Sequence, residues 1–260
     1  MSEWAALVAR VTLFPLLSSS PLPSALDLYR HVWSREPDNF QRQANPLMPS
    51  VAQGKAGSIV ANCTAQRSRI DFNLAPVAPT DGSLALISDV AEVRDGLSRI
   101  IEAIERDAIS VPVVRAAIFL HFARLAATLW EANKLLLESM PTSYRMGVTD
   151  EEDFIFQVNK PLSLAEDGSI HMNSVTKWSA DRIQVFNLPV SMGGPASWPF
   201  GQAPMSFTPT EFLIASVTFD HNNKPGHTPI NSKQQVVLLT EGLNHAARVQ
   251  REYGMNIVGF

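Results

Sequence analysis

The chain has 260 residues, of which 45% are hydrophobic and 18% charged, and its formal net charge is −4. That balance excludes a disordered chain, which is charge-rich and apolar-poor, and it argues against broad nucleic-acid binding through a basic surface. The 13 glycines and 18 prolines exclude a collagen-like chain and argue against one bundle of long helices.

Cys63 is the single cysteine, so no intramolecular disulfide can form, which fits a reducing cytosol. The N-terminal stretch has Glu3 in its leader and Arg10 inside its apolar run, so it reads as a strand and not as a secretory signal. The longest uncharged run, Ile183 to Thr210, holds Pro189, Pro195, Pro199, Pro204 and Pro209. A spanning helix must satisfy its own backbone hydrogen bonds, and these prolines forbid that. The expectation is a cytoplasmic protein with no membrane segment.

In chain order, Ala5 to Phe14 reads as a strand stopped by Pro15. Ser18 to Pro23 reads as a linker. Ser24 then caps a helix from Ala25 to Trp33, with Leu26, Tyr29 and Trp33 on one face. Glu36 to Gly57 is polar and carries Pro37, Pro46 and Pro49, the composition of a loop. Ser58 to Ala65 and Arg69 to Leu74 read as strands; in the second, Ile70, Phe72 and Leu74 alternate with Asp71 and Asn73. Leu84 to Ile87 is a short strand candidate. Asp89 caps an amphipathic helix to about Asp107, with Val90, Val93, Leu97, Ile100, Ile101 and Ile104 in one stripe.

Val113 to Phe122 fits a strand or the start of a helix reaching Met140, and Leu125 to Met140 is helical by composition. Phe154 to Val158, Ser169 to Lys177, Arg182 to Phe186 and Phe212 to Phe219 read as strands, with a hairpin turn at Glu166–Asp167–Gly168. Ser232 caps a last helix through Tyr253, with Val236, Leu239, Leu243 and Ala247 inward.

The element order suggests an internal duplication. Arg10 to Phe14 aligns with Arg115 to Phe119, Trp33 with Trp130, and Arg69–Ile70 with Arg182–Ile183. The expected class is α+β: two similar β-α-β-β-β-α halves, 1–110 and 111–260, with antiparallel or mixed sheets and helices packed on one face. This order favours a strand at Val113 to Phe122. The sheets can join edge to edge or pack as two lobes. Either way a concave surface or cleft lies between the halves.

No GxSxG, HExxH, GxxxxGK[ST], GxGxxG or paired CxxC motif is present, which weighs against several enzyme classes. Asp220, His221 and His227 form the densest group of potential metal ligands, just past a strong strand. No further ligand lies nearby in the sequence, and HNNKPGHTP is also the composition of an ordinary turn, the favoured account. No cofactor is expected. Alternation puts Arg67, Arg69 and Asp71 on one strand face, and two guanidinium groups there suit a phosphate or carboxylate. A solvated sheet face with a cross-strand ion pair explains the same residues more simply.

The uncharged stretch Asn187 to Thr210 carries Met192, Trp198, Phe200, Met205 and Phe207 among prolines and glycines. Aromatics and Met on a stiff loop are the composition of a partner-binding surface; a loop that covers the sheet explains them equally well. Met192, Trp198, Phe200 and Phe207 are the candidate partner-binding residues.

The leading expectation is a non-enzymatic protein-binding module of a bacterial-type cytosolic complex, of antitoxin, immunity or assembly-subunit type, able to form homo-oligomers. The alternative is a small-molecule hydrolase or transferase with its site in the cleft between the halves.

Overall fold

Period-two alternation builds the sheet. In β4 (Ile59–Gln66) Ile59, Ala61, Cys63 and Ala65 are buried and the residues between them are half-buried, the mark of a strand with a core on one side. The computed structural model describes residues 3–16, 23–42, 49–109, 111–144, 154–164, 170–185, 209–224, 226, 228–255, 257 and 259–260. The chain is α+β. Within the described residues β1 (Ala5–Pro15), α1 (Ala25–Trp33), β2 (Asn39–Gln41), β3 (Ser50–Ala56), β4, β5 (Arg69–Pro76) and α2 (Val90–Glu105) come first. Then follow β6 (Val113–Ala126), α3 (Leu129–Glu138), β7 (Ile155–Ser163), β8 (His171–Val185), β9 (Thr210–Asn223) and α4 (Ser232–Glu252).

The strands form one sheet in the order β2-β3-β4-β5-β1-β6-β9-β8-β7, and every pair is antiparallel. The halves therefore do not form separate lobes: β1 pairs with β6 from Ala5↔Ala123 to Pro15↔Val113.

The registers place Ala52, Cys63, Phe72, Val11, Ile118, His221 and Ser174 in one row across the sheet. The helices pack over this face. Trp33 of α1 lies 6.3 Å from the Phe72 ring. Gly96 of α2 sits against Leu74, and Gly242 of α4 against Ile118 and His221. The indole of Trp178 donates to the Ser139 carbonyl at the end of α3, at 3.1 Å. A single hydrophobic core runs under all four helices. Among the described residues no helix is long and apolar enough to cross a membrane.

Local chemistry explains the helix ends. Ser24, Asp89 and Thr128 accept from backbone N–H groups in the first turns of α1, α2 and α3. Asn231, not Ser232, caps α4, and it exchanges hydrogen bonds with Gln234 in a capping box.

Several segments differ from expectation. The presumed loop 36–57 contains β2 and β3. Their pattern is faint because the inward residues of β3 are small: Ala52 is buried, and a side chain on Gly54 would collide with Tyr29. Gly57, at φ +65°, then makes the tight turn into β4. The inward face of α1 is Ala25, Leu28, Tyr29, Val32 and Trp33, without Leu26. Ile87 makes only a bridge to Ala6. Val113 to Phe122 is strand, as the element order favours, and β6 runs on to Ala126, so α3 starts at Leu129.

The two strands expected over Ser169–Lys177 and Arg182–Phe186 are one strand, β8, paired along its length with β9. Arg182 thus lies inside a strand and does not open one, while Arg69 does open β5. Trp33 is buried at the end of α1, whereas Trp130 is 51% exposed at the start of α3, so the two are not counterparts. The turn at 166–168 lies outside the described residues.

Phe72 is fully buried in the middle of this core. Phe72→Ala should destabilise the protein by about 3–5 kcal/mol. Val237→Ala, on the exposed side of α4, should stay within about 0.5 kcal/mol. Urea unfolding followed by circular dichroism measures both.

Candidate functional site: the helix-free face of the sheet

Residues one step along each strand point away from the helices. Across the centre of that face runs the row Asn73–Arg10–Phe119–Asp220–Val175, and beside it Asp71–Thr12–Ala117–Asn222–Asn173. No described helix packs here. The Arg10 guanidinium lies over Phe119, 5.4 Å from the ring centre. Arg115 lies over Phe14 at 5.1 Å, and Arg69, from the strand on the other flank of β1, lies over the same ring at 5.9 Å. Cation–π contacts of this kind are worth about 0.5–1 kcal/mol when exposed and more when water is excluded.

Asp71 is the hub of the polar contacts. Its carboxylate accepts from the Thr12 hydroxyl at 2.7 Å and pairs with Arg69 Nε at 2.7 Å. The Nε atoms of Arg10 and Arg115 are buried and have no hydrogen-bond partner within the structure. Each guanidinium group lies over a phenylalanine ring, and among the described residues neither forms an ion pair with a carboxylate.

Further along this face His121 shares a 2.7 Å hydrogen bond with the Ser216 hydroxyl. Burial lowers the His121 pKa; Asp181 partly offsets the effect and Lys177 adds to it. Asp181 itself accepts from Ser179 at 2.8 Å. A serine bonded to a neutral imidazole is the pairing found in activated nucleophiles. Here Ser216 is fully buried, so the contact ties β6 to β9 and offers no hydroxyl to a substrate.

A second polar group lies on the helix side. His221 is fully buried, its two ring nitrogens have no partner, and its ring meets His245 of α4 edge-on at 5.0 Å. The His245 Nδ1 is 3.2 Å from the Ser174 hydroxyl. Burial pushes the His221 pKa down to about 3, with the neighbouring His245 contributing. His245 is lowered as well, chiefly by burial and then by Arg248 and Lys160.

These placements decide the residues singled out from the sequence. Asp220 and His221 are consecutive in β9 and point to opposite faces, Asp220 towards Phe119 and Asn222, His221 into the core. They cannot share a metal ion. His227 lies outside the described residues, among which no three His, Cys, Asp or Glu side chains gather. Arg67 and Arg69 are also separated. β4 ends at Gln66, paired with Arg69, so Arg67 and Ser68 form the exposed turn between strands. Arg69 is ion-paired with Asp71 two residues on in the same strand, not across strands, and Asp71 is buried. Met192, Trp198, Phe200, Met205 and Phe207 lie outside the described residues; the segment bearing them joins β8 and β9 where Val185 pairs with Thr210. Cys63 is buried beneath the helices, where burial raises its thiol pKa far from reactive values.

The central Arg10, Phe14, Arg115 and Phe119 enter the sequence reading only as an alignment. The signal for a site was present: every second residue of two strands, with arginine and phenylalanine exchanging places.

On the helix side a groove of about 280 Å³ runs between α2 and α4. Arg94, Glu102, Thr240 and Asn244 line it, and Phe260 closes one part. None of the candidate residues from the sequence reaches it. Neither the known protein-family models nor the curated proteins contain a match to this chain.

The buried histidines make stability depend on pH. A histidine whose pKa falls on folding binds fewer protons when native, so acid favours the unfolded chain. The contribution of His221 is complete above the unfolded pKa near 6.5 and is lost as the pH drops towards 3. Between pH 7 and pH 5 its loss should reach about 2 kcal/mol. Urea midpoints at the two pH values measure this, and His221→Phe should flatten the slope.

Proposed function

We propose that this chain is a cytoplasmic, non-enzymatic protein-binding module of a bacterial-type complex, of antitoxin, immunity or assembly-subunit type. Its docking surface is the helix-free face of the sheet. The carrying observation is the set of ring-held guanidinium groups at the centre of that face: Arg10 over Phe119, and Arg115 and Arg69 around Phe14. Arginine and aromatic side chains dominate the energetics of protein interfaces. A broad sheet face suits a protein surface better than a small ligand, which seeks a concave pocket. The positive charges of Arg10 and Arg115 favour a partner that presents carboxylates.

The same reading takes the chain as an ancient duplication. Outward from the β1–β6 pair the sheet runs β5, β4, β3 on one side and β9, β8, β7 on the other. Thr12 faces Ala117 at the centre, with Arg10 facing Phe119 and Phe14 facing Arg115 around it. A two-fold axis through Thr12 and Ala117 exchanges these pairs, which supports the alignment of Arg10–Phe14 with Arg115–Phe119 and the division into 1–110 and 111–260. The uncharged segment with Met192, Trp198, Phe200 and Phe207 supplies a second set of contacts to the same partner.

The alternative is a small-molecule hydrolase or transferase whose substrate enters the groove between α2 and α4, with Arg94 and Glu102 as its charged groups.

Affinity capture of tagged protein from its native lysate, with mass spectrometry, separates the two. The expected result is a protein partner at near-equal stoichiometry. The double variant Arg10→Glu with Arg115→Glu should lose it by more than tenfold, and so should Trp198→Ala with Phe200→Ala, with unfolding curves unchanged. Capture that is indifferent to both double variants, or no stoichiometric protein at all, overturns the reading.

A further inference from the structure

The two edges of the sheet are built differently. One edge is β2, three exposed residues long. The other is β7, nine residues long and paired only with β8 among the described residues. Its flanking hydrogen bonds show which groups are in use. Ala180 N–H donates to the Phe154 carbonyl and Leu164 N–H to the Ile170 carbonyl, each at 3.0 Å. In an antiparallel ladder such bonded residues recur at every second position. The even-numbered residues of β7 therefore bond to β8, and Ile155, Gln157, Asn159 and Pro161 turn their backbone groups outward. Pro161, which has no N–H to donate, fits this phase.

Exposed edges are normally blunted by charge, proline or brevity. In β7 that protection begins only at Lys160 and Pro161. Ile155 to Asn159 is uncharged, and Ile155 is 64% exposed, the largest exposure of any bulky apolar residue described.

We propose that β7 pairs with β7 of a second copy of this chain, antiparallel, with Gln157 opposite Gln157. Ile155 then faces Asn159 across the joint, and Phe156 faces Val158. Every outward N–H and C=O of Ile155, Gln157 and Asn159 on both copies is satisfied, and none is asked of Pro161. Moving the two-fold centre to Asn159 sets Gln157 against Pro161 and loses a donor on each side. No charged residue lies between Ile155 and Asn159, so no like charges meet across the axis. Both copies then share one continuous sheet, with the helices of each on the same side as far as its twist allows.

The test is light scattering and sedimentation of the purified full chain at micromolar concentration, where twice the 28.5 kDa monomer mass is expected. Gln157→Pro removes an outward donor without touching the β8 ladder and should shift the protein to monomer with its circular dichroism retained. Ile155→Lys should do the same by charge. In the third variant, Gln157→Cys, the new thiol is the reactive one because Cys63 is buried. It should form a covalent dimer on mild oxidation, and Ser163→Cys should not. A monomeric parent protein whose Gln157→Cys variant fails to cross-link overturns the proposal. So does a dimer that survives Ile155→Lys and Gln157→Pro unchanged, since its interface then lies elsewhere.

Discussion

The pairing of β1 with β6 is the contact on which the rest of the molecule depends. It joins the first and second parts of the chain across Ala5–Pro15 and Val113–Ala126. Every other strand is attached, directly or through neighbours, to one of these two. It also sets the two faces apart. Ala9, Val11 and Leu13 with Ile118, Leu120 and Phe122 point to the helices and are buried. Arg10, Thr12 and Phe14 with Arg115, Ala117 and Phe119 point away. A slip of one residue in this register would put guanidinium groups into the core, at a cost far above that of any single contact.

The polar face is consistent with this register being strongly specified. Thr12 bonds to Asp71, which pairs with Arg69, which touches Phe14, which also meets Arg115. The chain of contacts crosses β5, β1 and β6 and ties their relative positions from outside, while the core ties them from inside. The Thr12–Asp71 hydrogen bond is buried, and removing the Asp71 carboxylate would leave the buried Thr12 hydroxyl unsatisfied. The value of these contacts here is positional: they hold the cationic groups at fixed places on an otherwise amide-rich sheet.

How much of this was legible depended on side-chain size and on period. Strands with large inward residues, such as Ile70, Phe72 and Leu74, announced themselves by alternation. So did α2, by its apolar stripe and Asp89 cap. β3 did not, because its inward residues Ala52 and Gly54 are small, Gly54 leaving room for Tyr29, and a strand of small residues resembles a loop in composition. The continuity of β8 was hidden by Ser179, Ala180 and Asp181, which look like a break but pair with β9 throughout. The placements of Asp220–His221 and of Arg67 have another origin. The strand expected to stop at Phe219 runs on as β9 to Asn223, which turns Asp220 and His221 to opposite faces, and Arg67–Ser68 is the two-residue turn between β4 and β5.

The buried imidazoles show what the sequence could not carry. His221 occupies a row that also holds Phe72, Val11 and Ile118, and nothing local in HNNK distinguishes it from a solvent-exposed turn histidine. Its burial follows from α4, more than ten residues later, where Gly242 allows the helix to lie close against Ile118 and the imidazole. A side chain at position 242 would hold α4 off the sheet at this point, and water would then reach both histidine rings. The neutral state of His221 is thus a property of the helix–sheet distance. That distance is fixed by an absent side chain on one element and felt as a depressed basicity on another.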